Sequence, residues 1–176
     1  SRDNRYFQDI YQLMPKDGYT RMFERMLSHK NIKIMLNTDY KEIIDDIKFD
    51  KLIYTGPIDE FFNYEFGQLP YRSLIFDFQT LNFEYYQEVG QVNYPNNNSY
   101  TRITEFKFIT GQKSSTTSIA YEYPIKYEIN SNLIPYYPIH QKENNELYLK
   151  YLSESKKLKE VIFCGRLADY KYYNMD

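Results

Sequence analysis

Tyr19, Met22, Phe23, Met26 and Leu27 recur at the three- and four-residue spacing of one helical face, with Arg21, Glu24 and Arg25 between them. The spacing predicts an amphipathic helix that opens after Pro15-Lys16-Asp17-Gly18, with Asp17 as its N-cap and Asn31 beyond its last turn. Ile32, Ile34 and Leu36 then alternate with Lys33 and Met35, which predicts a short strand. A second strand is expected over Lys51-Leu52-Ile53-Tyr54. It runs into Thr55-Gly56-Pro57, where a glycine permits close backbone approach. A helix and two strands in this order read as part of an α/β layer.

From Tyr71 the period changes to two. Leu74, Phe76 and Phe78 alternate with Ser73, Ile75 and Asp77, and the alternation returns in Arg102, Thr104, Phe106 and Phe108 and again in Ile119, Tyr121 and Tyr123. Tyr94-Pro95-Asn96-Asn97-Asn98-Ser99 and Thr110-Gly111-Gln112-Lys113 read as turns between antiparallel strands. After Pro135-Tyr136-Tyr137-Pro138, a helix pattern on Leu147, Tyr151, Leu152 and Leu158 hands over to the apolar run Val161-Ile162-Phe163-Cys164. The expected fold class is α+β. An antiparallel sheet over residues 58–125 is inserted between residues 1–57 and 126–176, and these flanks form one discontinuous domain.

Both ends read as cuts. Ser1-Arg2-Asp3-Asn4 has no initiator Met and no targeting pattern, and the closing Asn174-Met175-Asp176 resembles the approach to a helix that does not follow. The expectation is an excised piece of a longer protein.

Composition narrows the class. A net charge of −2 and a pI near 5.8 give no field that would gather a nucleic acid. A mean hydropathy of −0.71 without a long apolar run predicts no membrane span. The single cysteine allows no internal disulfide and fits a reducing, cytoplasmic compartment; Cys164, inside an apolar strand, reads as a small buried hydrophobe. Twenty-one tyrosines against no tryptophan suit a sheet-rich domain, or a site that uses hydroxyls.

Few residues carry obvious chemistry. His29 at a helix end and His140 after a proline turn read as surface residues, as do Asp45, Asp46 and Glu143. No metal-ligand spacing and no glycine-rich phosphate loop is present. What remains is Arg72, Arg102 and Arg166, each with aromatic neighbours. A guanidinium fork holds two oxygens of a diphosphate at once. The alternative for Arg102 is a structural salt bridge with Glu105 or another carboxylate.

Tyr54-Thr55-Gly56-Pro57-Ile58-Asp59, Phe62-Asn63-Tyr64, Gly67, Leu69 and Tyr71-Arg72-Ser73-Leu74 resemble the UDP-galactopyranose mutases. So do Tyr100-Thr101-Arg102-Ile103-Thr104-Glu105, Glu122-Tyr123-Pro124, Pro135-Tyr136-Tyr137-Pro138, Gly165-Arg166-Leu167-Ala168 and Tyr170-Lys171-Tyr172-Tyr173. The resemblance runs in order from Tyr6-Phe7 to the last residue. It implies a flavoenzyme that interconverts UDP-galactopyranose and UDP-galactofuranose, an isomerase whose reduced FAD attacks the anomeric carbon through N5 and expels UDP; the flavin-sugar adduct opens, recloses as the furanose, and UDP reattaches as the flavin leaves. The flavin is the nucleophile, so no side-chain catalyst is expected.

The resemblance further implies that Arg102 grips the substrate diphosphate, with the hydroxyls of Tyr6, Tyr137 and Tyr172 around it, Arg72 lining the cleft and Asn93 as a weaker sugar contact. Arg166, Gly165, Thr55, Gly56, Pro57, Asn174 and Met175 fall at the FAD, together with the strand from Ile32 to Leu36. Asn174 departs from the Asp of several members. The implied full-length enzyme is a cytoplasmic homo-oligomer on a Rossmann-like FAD domain. The fingerprint, a mobile-loop arginine and a stacking tryptophan are expected upstream of Ser1, so the 176 residues alone are predicted to lack activity and tight FAD binding. Two other readings are a tyrosine-rich carbohydrate-binding module without catalysis and a different flavin enzyme on the same scaffold.

Overall fold

The computed structural model describes residues 9–11, 13–129 and 131–173. Its elements are α1 (Gly18–Met26), α2 (Tyr40–Ile43), β1 (Leu52–Tyr54), α3 (Ile58–Phe61), β2 (Tyr71–Leu81), β3 (Gln91–Asn93), β4 (Arg102–Glu105), α4 (Phe106–Thr110), β5 (Thr117–Lys126), β6 (Tyr137–Pro138), α5 (Lys142–Ser155) and β7 (Val161–Phe163). Two sheets result. β1 and β7 form a parallel pair, and the other five strands form an antiparallel sheet in the order β3-β4-β5-β2-β6. The mixed α and β character with a central antiparallel sheet agrees with the expectation. The sheet takes its last strand, β6, from beyond residue 125.

The core joins the two sheets. Ile58, Leu69, Tyr71, Tyr151 and Tyr170 are buried together, with Phe62, Phe66, Leu147, Phe163 and Leu167 packed on them. Phe61 and Phe62 of the α3 turn meet Phe163 of β7 at ring-centroid distances of 4.8 and 5.9 Å. Two tyrosine hydroxyls tie this core to backbone. Tyr151 Oη donates to the Gly67 carbonyl at 2.7 Å and accepts from Phe66 N–H at 3.0 Å, and Tyr170 Oη donates to the Pro70 carbonyl at 2.6 Å. These two tyrosines are structural, each ring filling space while its hydroxyl satisfies a turn.

Several local expectations are corrected. Residues 32–36 form no strand: no strand among the described residues pairs with them, and Ile34, Met35 and Leu36 are exposed. Asp17 does precede α1, but its carboxylate accepts from Arg25 Nη2 at 2.8 Å instead of capping the helix. Leu158 lies past the end of α5.

The run from Arg102 does not stay extended to Phe108; it turns helical at Phe106. Gly111, with φ of 67°, closes that turn in the left-handed region. The helical step sends the two phenylalanines apart: Phe106 stacks on Phe78 at 6.2 Å, while Phe108 meets Tyr85 at 5.2 Å. Lys107, buried between them, donates to the carbonyls of Glu84 and Ser114.

Glu105 is fully buried and fixes the 82–91 segment. It accepts from Thr117 Oγ1 at 2.6 Å and from the N–H groups of Tyr86 and Gln87. Burial pushes its carboxyl up, but these hydrogen bonds outweigh it and hold it below the ordinary value. It is therefore not the partner of Arg102.

Candidate active site

Cross-strand partners point to the same face, so the register sorts the sheet. One face carries Arg72, Leu74, Phe76, Phe78 and Thr80 of β2, with Lys126, Pro124, Glu122, Ala120 and Ser118 opposite them on β5. Arg102 and Thr104 of β4 and Asn93 and Gln91 of β3 continue it, and Tyr137 of β6 faces Arg72. Among these paired positions stand three cations, Arg72, Arg102 and Lys126, against one carboxylate, Glu122. Of the opposite face, Tyr71, Ser73, Ile103, Glu105, Thr117 and Ile119 are buried.

Arg102 is two-thirds buried and held in a row across three strands. Its Nε donates to Asn93 Oδ1 at 2.9 Å on β3, and its Nη1 lies 3.7 Å from Glu122 Oε2 on β5. The alternative of a carboxylate partner is met by Glu122, while Glu105 points to the other face. Asn93, expected as a sugar contact, is placed on the arginine itself. Arg72 is exposed and its guanidinium has no partner among the described residues.

Phe76 continues the row from Glu122 and begins an aromatic path. Its ring lies 6.2 Å from Tyr136, Tyr136 lies 6.4 Å from Tyr137, and Tyr137 lies 6.2 Å from Tyr172. The guanidinium of Arg166 sits 5.3 Å from the centroids of both Tyr137 and Tyr172, a cation over two π faces. Arg166 Nη2 donates to the Tyr136 carbonyl at 2.6 Å, while its buried Nε has no partner. The hydroxyls of Tyr137 and Tyr172 make no hydrogen bond to another described residue. These tyrosines gather at Arg166, and none of their ring contacts is with Arg102.

The parallel pair ends beside Arg166. Leu52 faces Val161 and Tyr54 faces Phe163, and Cys164 N–H donates to the Tyr54 carbonyl at 3.1 Å. Beyond the pair, β1 runs on into Thr55 and Gly56, and β7 into Cys164 and Gly165. Gly165 has φ of 91°, and a Cβ built on it would touch Thr55 Cβ at 4.0 Å; one built on Gly56 would lie 2.6 Å from Tyr54 Oη. The Tyr54 ring therefore covers Gly56 and leaves room there for backbone alone, while at Gly165 only Thr55 comes within 4 Å; the carboxyl ends of strands are where α/β sheets take ligands. Cys164 is half-buried there. Tyr6, Asn174 and Met175 lie outside the described residues.

Phe76, Tyr136 and Glu122 were not singled out from the sequence. Glu122 stands in the Glu122-Tyr123-Pro124 motif, but only the register shows that it faces Arg102. His29 is exposed, its Nδ1 accepting from Asn31 N–H, and His140 is exposed against Tyr170. No helix among the described residues is long and apolar enough to cross a membrane.

The family model described as UDP-galactopyranose mutase matches residues 1–172. The chain is 39% identical to a UDP-galactopyranose mutase of Mycoplasma genitalium, with all of this chain and 47% of that protein covered. It is 40% identical to a probable UDP-galactopyranose mutase of Klebsiella pneumoniae, covering 99% of this chain and 45% of the relative. A dTDP-fucopyranose mutase of Escherichia coli is 33% identical over 99% of this chain and 48% of its own length. The chain thus spans about half the length of the curated relatives it matches. A family match over residues 1–172, with relatives 39–40% identical across nearly the whole chain, makes this chain a member of the UDP-galactopyranose mutase family.

Proposed function

We propose that this chain is part of a cytoplasmic mutase that contracts the ring of a nucleoside diphosphate hexose, converting UDP-galactopyranose to UDP-galactofuranose and back. The observation that carries the reading is the single sheet face that joins Arg102 to Arg166 through Phe76, Tyr136 and Tyr137. An anion anchor at one end and an aromatic floor leading to a second arginine suit a ligand with a diphosphate and a sugar.

The residues at the strand ends fit a flavin. Thr55, Gly56 and Pro57 and the backbone of Gly165 would lie against it, with Arg166 beside it and its unpartnered Nε free to donate. Asn174 and Met175, from the resemblance, are assigned to the same cofactor. We assign β1 and β7 to a Rossmann-like FAD domain, completed by further strands, into which the antiparallel sheet is inserted. When bound and reduced, the FAD supplies the nucleophile for the anomeric carbon.

The tasks of the chain are then binding and charge. Arg102 holds the diphosphate by its outer nitrogens, and because negative charge grows on the diphosphate as the C–O bond to the sugar breaks, the same contact strengthens toward the transition state. Tyr137 and Tyr172 offer hydroxyls to the diphosphate or the sugar, Tyr6 joins them, and Arg72 adds positive potential along the face. Phe76 and Tyr136 present apolar surface to the hexose and exclude water from it. The names of the relatives include a UDP-galactopyranose and a dTDP-fucopyranose mutase, so a pyrimidine nucleotide is the shared feature, and we take UDP-galactose as the substrate.

The experiment uses the protein expressed from its complete reading frame. UDP-galactofuranose is supplied with and without dithionite, and UDP-galactopyranose is followed by chromatography. Turnover dependent on reduced flavin is expected. A protein that binds FAD but leaves UDP-galactofuranose unconverted would remove the mutase reading and favour a different flavin enzyme.

A further inference from the structure

Arg102 is gripped by two groups of different character. The contact from Nε to the neutral amide oxygen of Asn93, at 2.9 Å, is a directed hydrogen bond; the 3.7 Å approach of Nη1 to Glu122 is too long for one and acts through charge. Asn93, Arg102 and Glu122 face one another across β3, β4 and β5, so backbone pairing sets their spacing. Glu122 is also tethered, because Thr101 Oγ1 donates to its other oxygen at 3.1 Å.

The consequence concerns the anion that Arg102 receives. With Nε occupied, the plane of the guanidinium is fixed and its outer edge is left for a bidentate oxyanion. An anion there meets Glu122 as a like charge, tethered and mostly shielded from solvent. An enzyme gains rate from grip that grows in the transition state, whereas uniform grip on nucleotide gains nothing once the site is filled.

We propose that Glu122 is a positioning residue that works through Arg102: its carboxylate holds down the resting affinity of the site for a nucleoside diphosphate, while Asn93 aims the guanidinium fork. This rests on the reading of Arg102 as the diphosphate anchor. The probe is UDP, titrated calorimetrically into the complete protein. Glu122→Gln keeps the shape and removes the charge, and it is expected to lower the Kd for UDP by about three- to tenfold at low salt, a gain that shrinks as salt is added. Asn93→Asp adds a second carboxylate at Nε and is expected to raise the Kd, while Glu122→Asp keeps the charge and stays near wild type.

Both effects should shrink in an Arg102→Ala background, because the diphosphate is then no longer held beside Glu122 and Asn93. A merely structural Glu122 would weaken UDP when replaced and would do so in either background. If Arg102→Ala abolishes binding but Glu122→Gln leaves it unchanged or weaker, the proposal is overturned and the anchor stands. If UDP binds equally well without Arg102, both fall.

Discussion

Asp59 provides a test of the core that carries the site. It follows Gly56-Pro57, is 1% exposed, and uses Oδ2 to accept from Leu69 N–H at 2.8 Å, while Oδ1 has no partner. Burial pushes its carboxyl from 3.8 up to about 6, against the pull of the Leu69 hydrogen bond. Between these values the folded protein keeps a proton that the unfolded chain has released, so stability falls as pH rises through the window and the full penalty is present above it. Two pH units correspond to about 3 kcal/mol. Asp59→Asn keeps an acceptor for Leu69 and removes the charge. Urea unfolding of the complete protein and the variant at four pH values from 4 to 7.5 should show near-equal stability at the acid end and a variant more stable by about 2–3 kcal/mol at the neutral end. A difference that does not change with pH, or a variant that is weaker at pH 7.5, would refute the argument.

Three further outcomes follow from contacts already described. Tyr151→Phe leaves the Gly67 carbonyl and Phe66 N–H without their partner, and thermal unfolding should show a loss of about 1–3 kcal/mol. Glu105→Gln replaces a carboxylate that accepts from three donors with an amide whose NH2 meets N–H groups; a comparable or larger loss is expected, with faster hydrogen exchange at Tyr86 and Gln87. Gly56→Ala drives a Cβ into the Tyr54 ring, so flavin titration of the complete protein should show weaker binding while UDP affinity changes little.

The elements that were legible in the sequence are those whose pattern is local. The α1 face, the alternation of β2 and β5 and the apolar run of β7 each follow from a period that the chain carries by itself. Residues 32–36 failed because a strand needs a partner edge that no local pattern encodes. Phe106 and Phe108 failed because two residues of alternation fit a helical turn as well, and the buried Lys107 between them decides in its favour.

The site divided in the same way. Arg102 and Arg166 stood out by type and neighbourhood, and Tyr137 and Tyr172 only through the resemblance; which tyrosine meets which arginine depends on the β2–β6 pairing and on the C-terminal loop. Glu105 is nearer to Arg102 in sequence than Glu122 is, yet alternation turns Glu105 to the opposite face and register brings Glu122 across. The flavin-side reading rested on the resemblance, while the parallel pairing of β1 with β7, which brings Thr55 and Gly165 near each other, is not encoded by any local pattern.

The central claim is that one sheet face spans from a diphosphate anchor to a flavin edge. A crystal structure of the complete protein with FAD and UDP-galactose tests it most directly. The account predicts the diphosphate on the outer edge of Arg102, the hexose over Phe76 and Tyr136, and the flavin against Gly56 and Gly165 beside Arg166. A diphosphate held elsewhere, as between Arg72 and Lys126, with Arg102 still closed on Asn93 and Glu122, would contradict it.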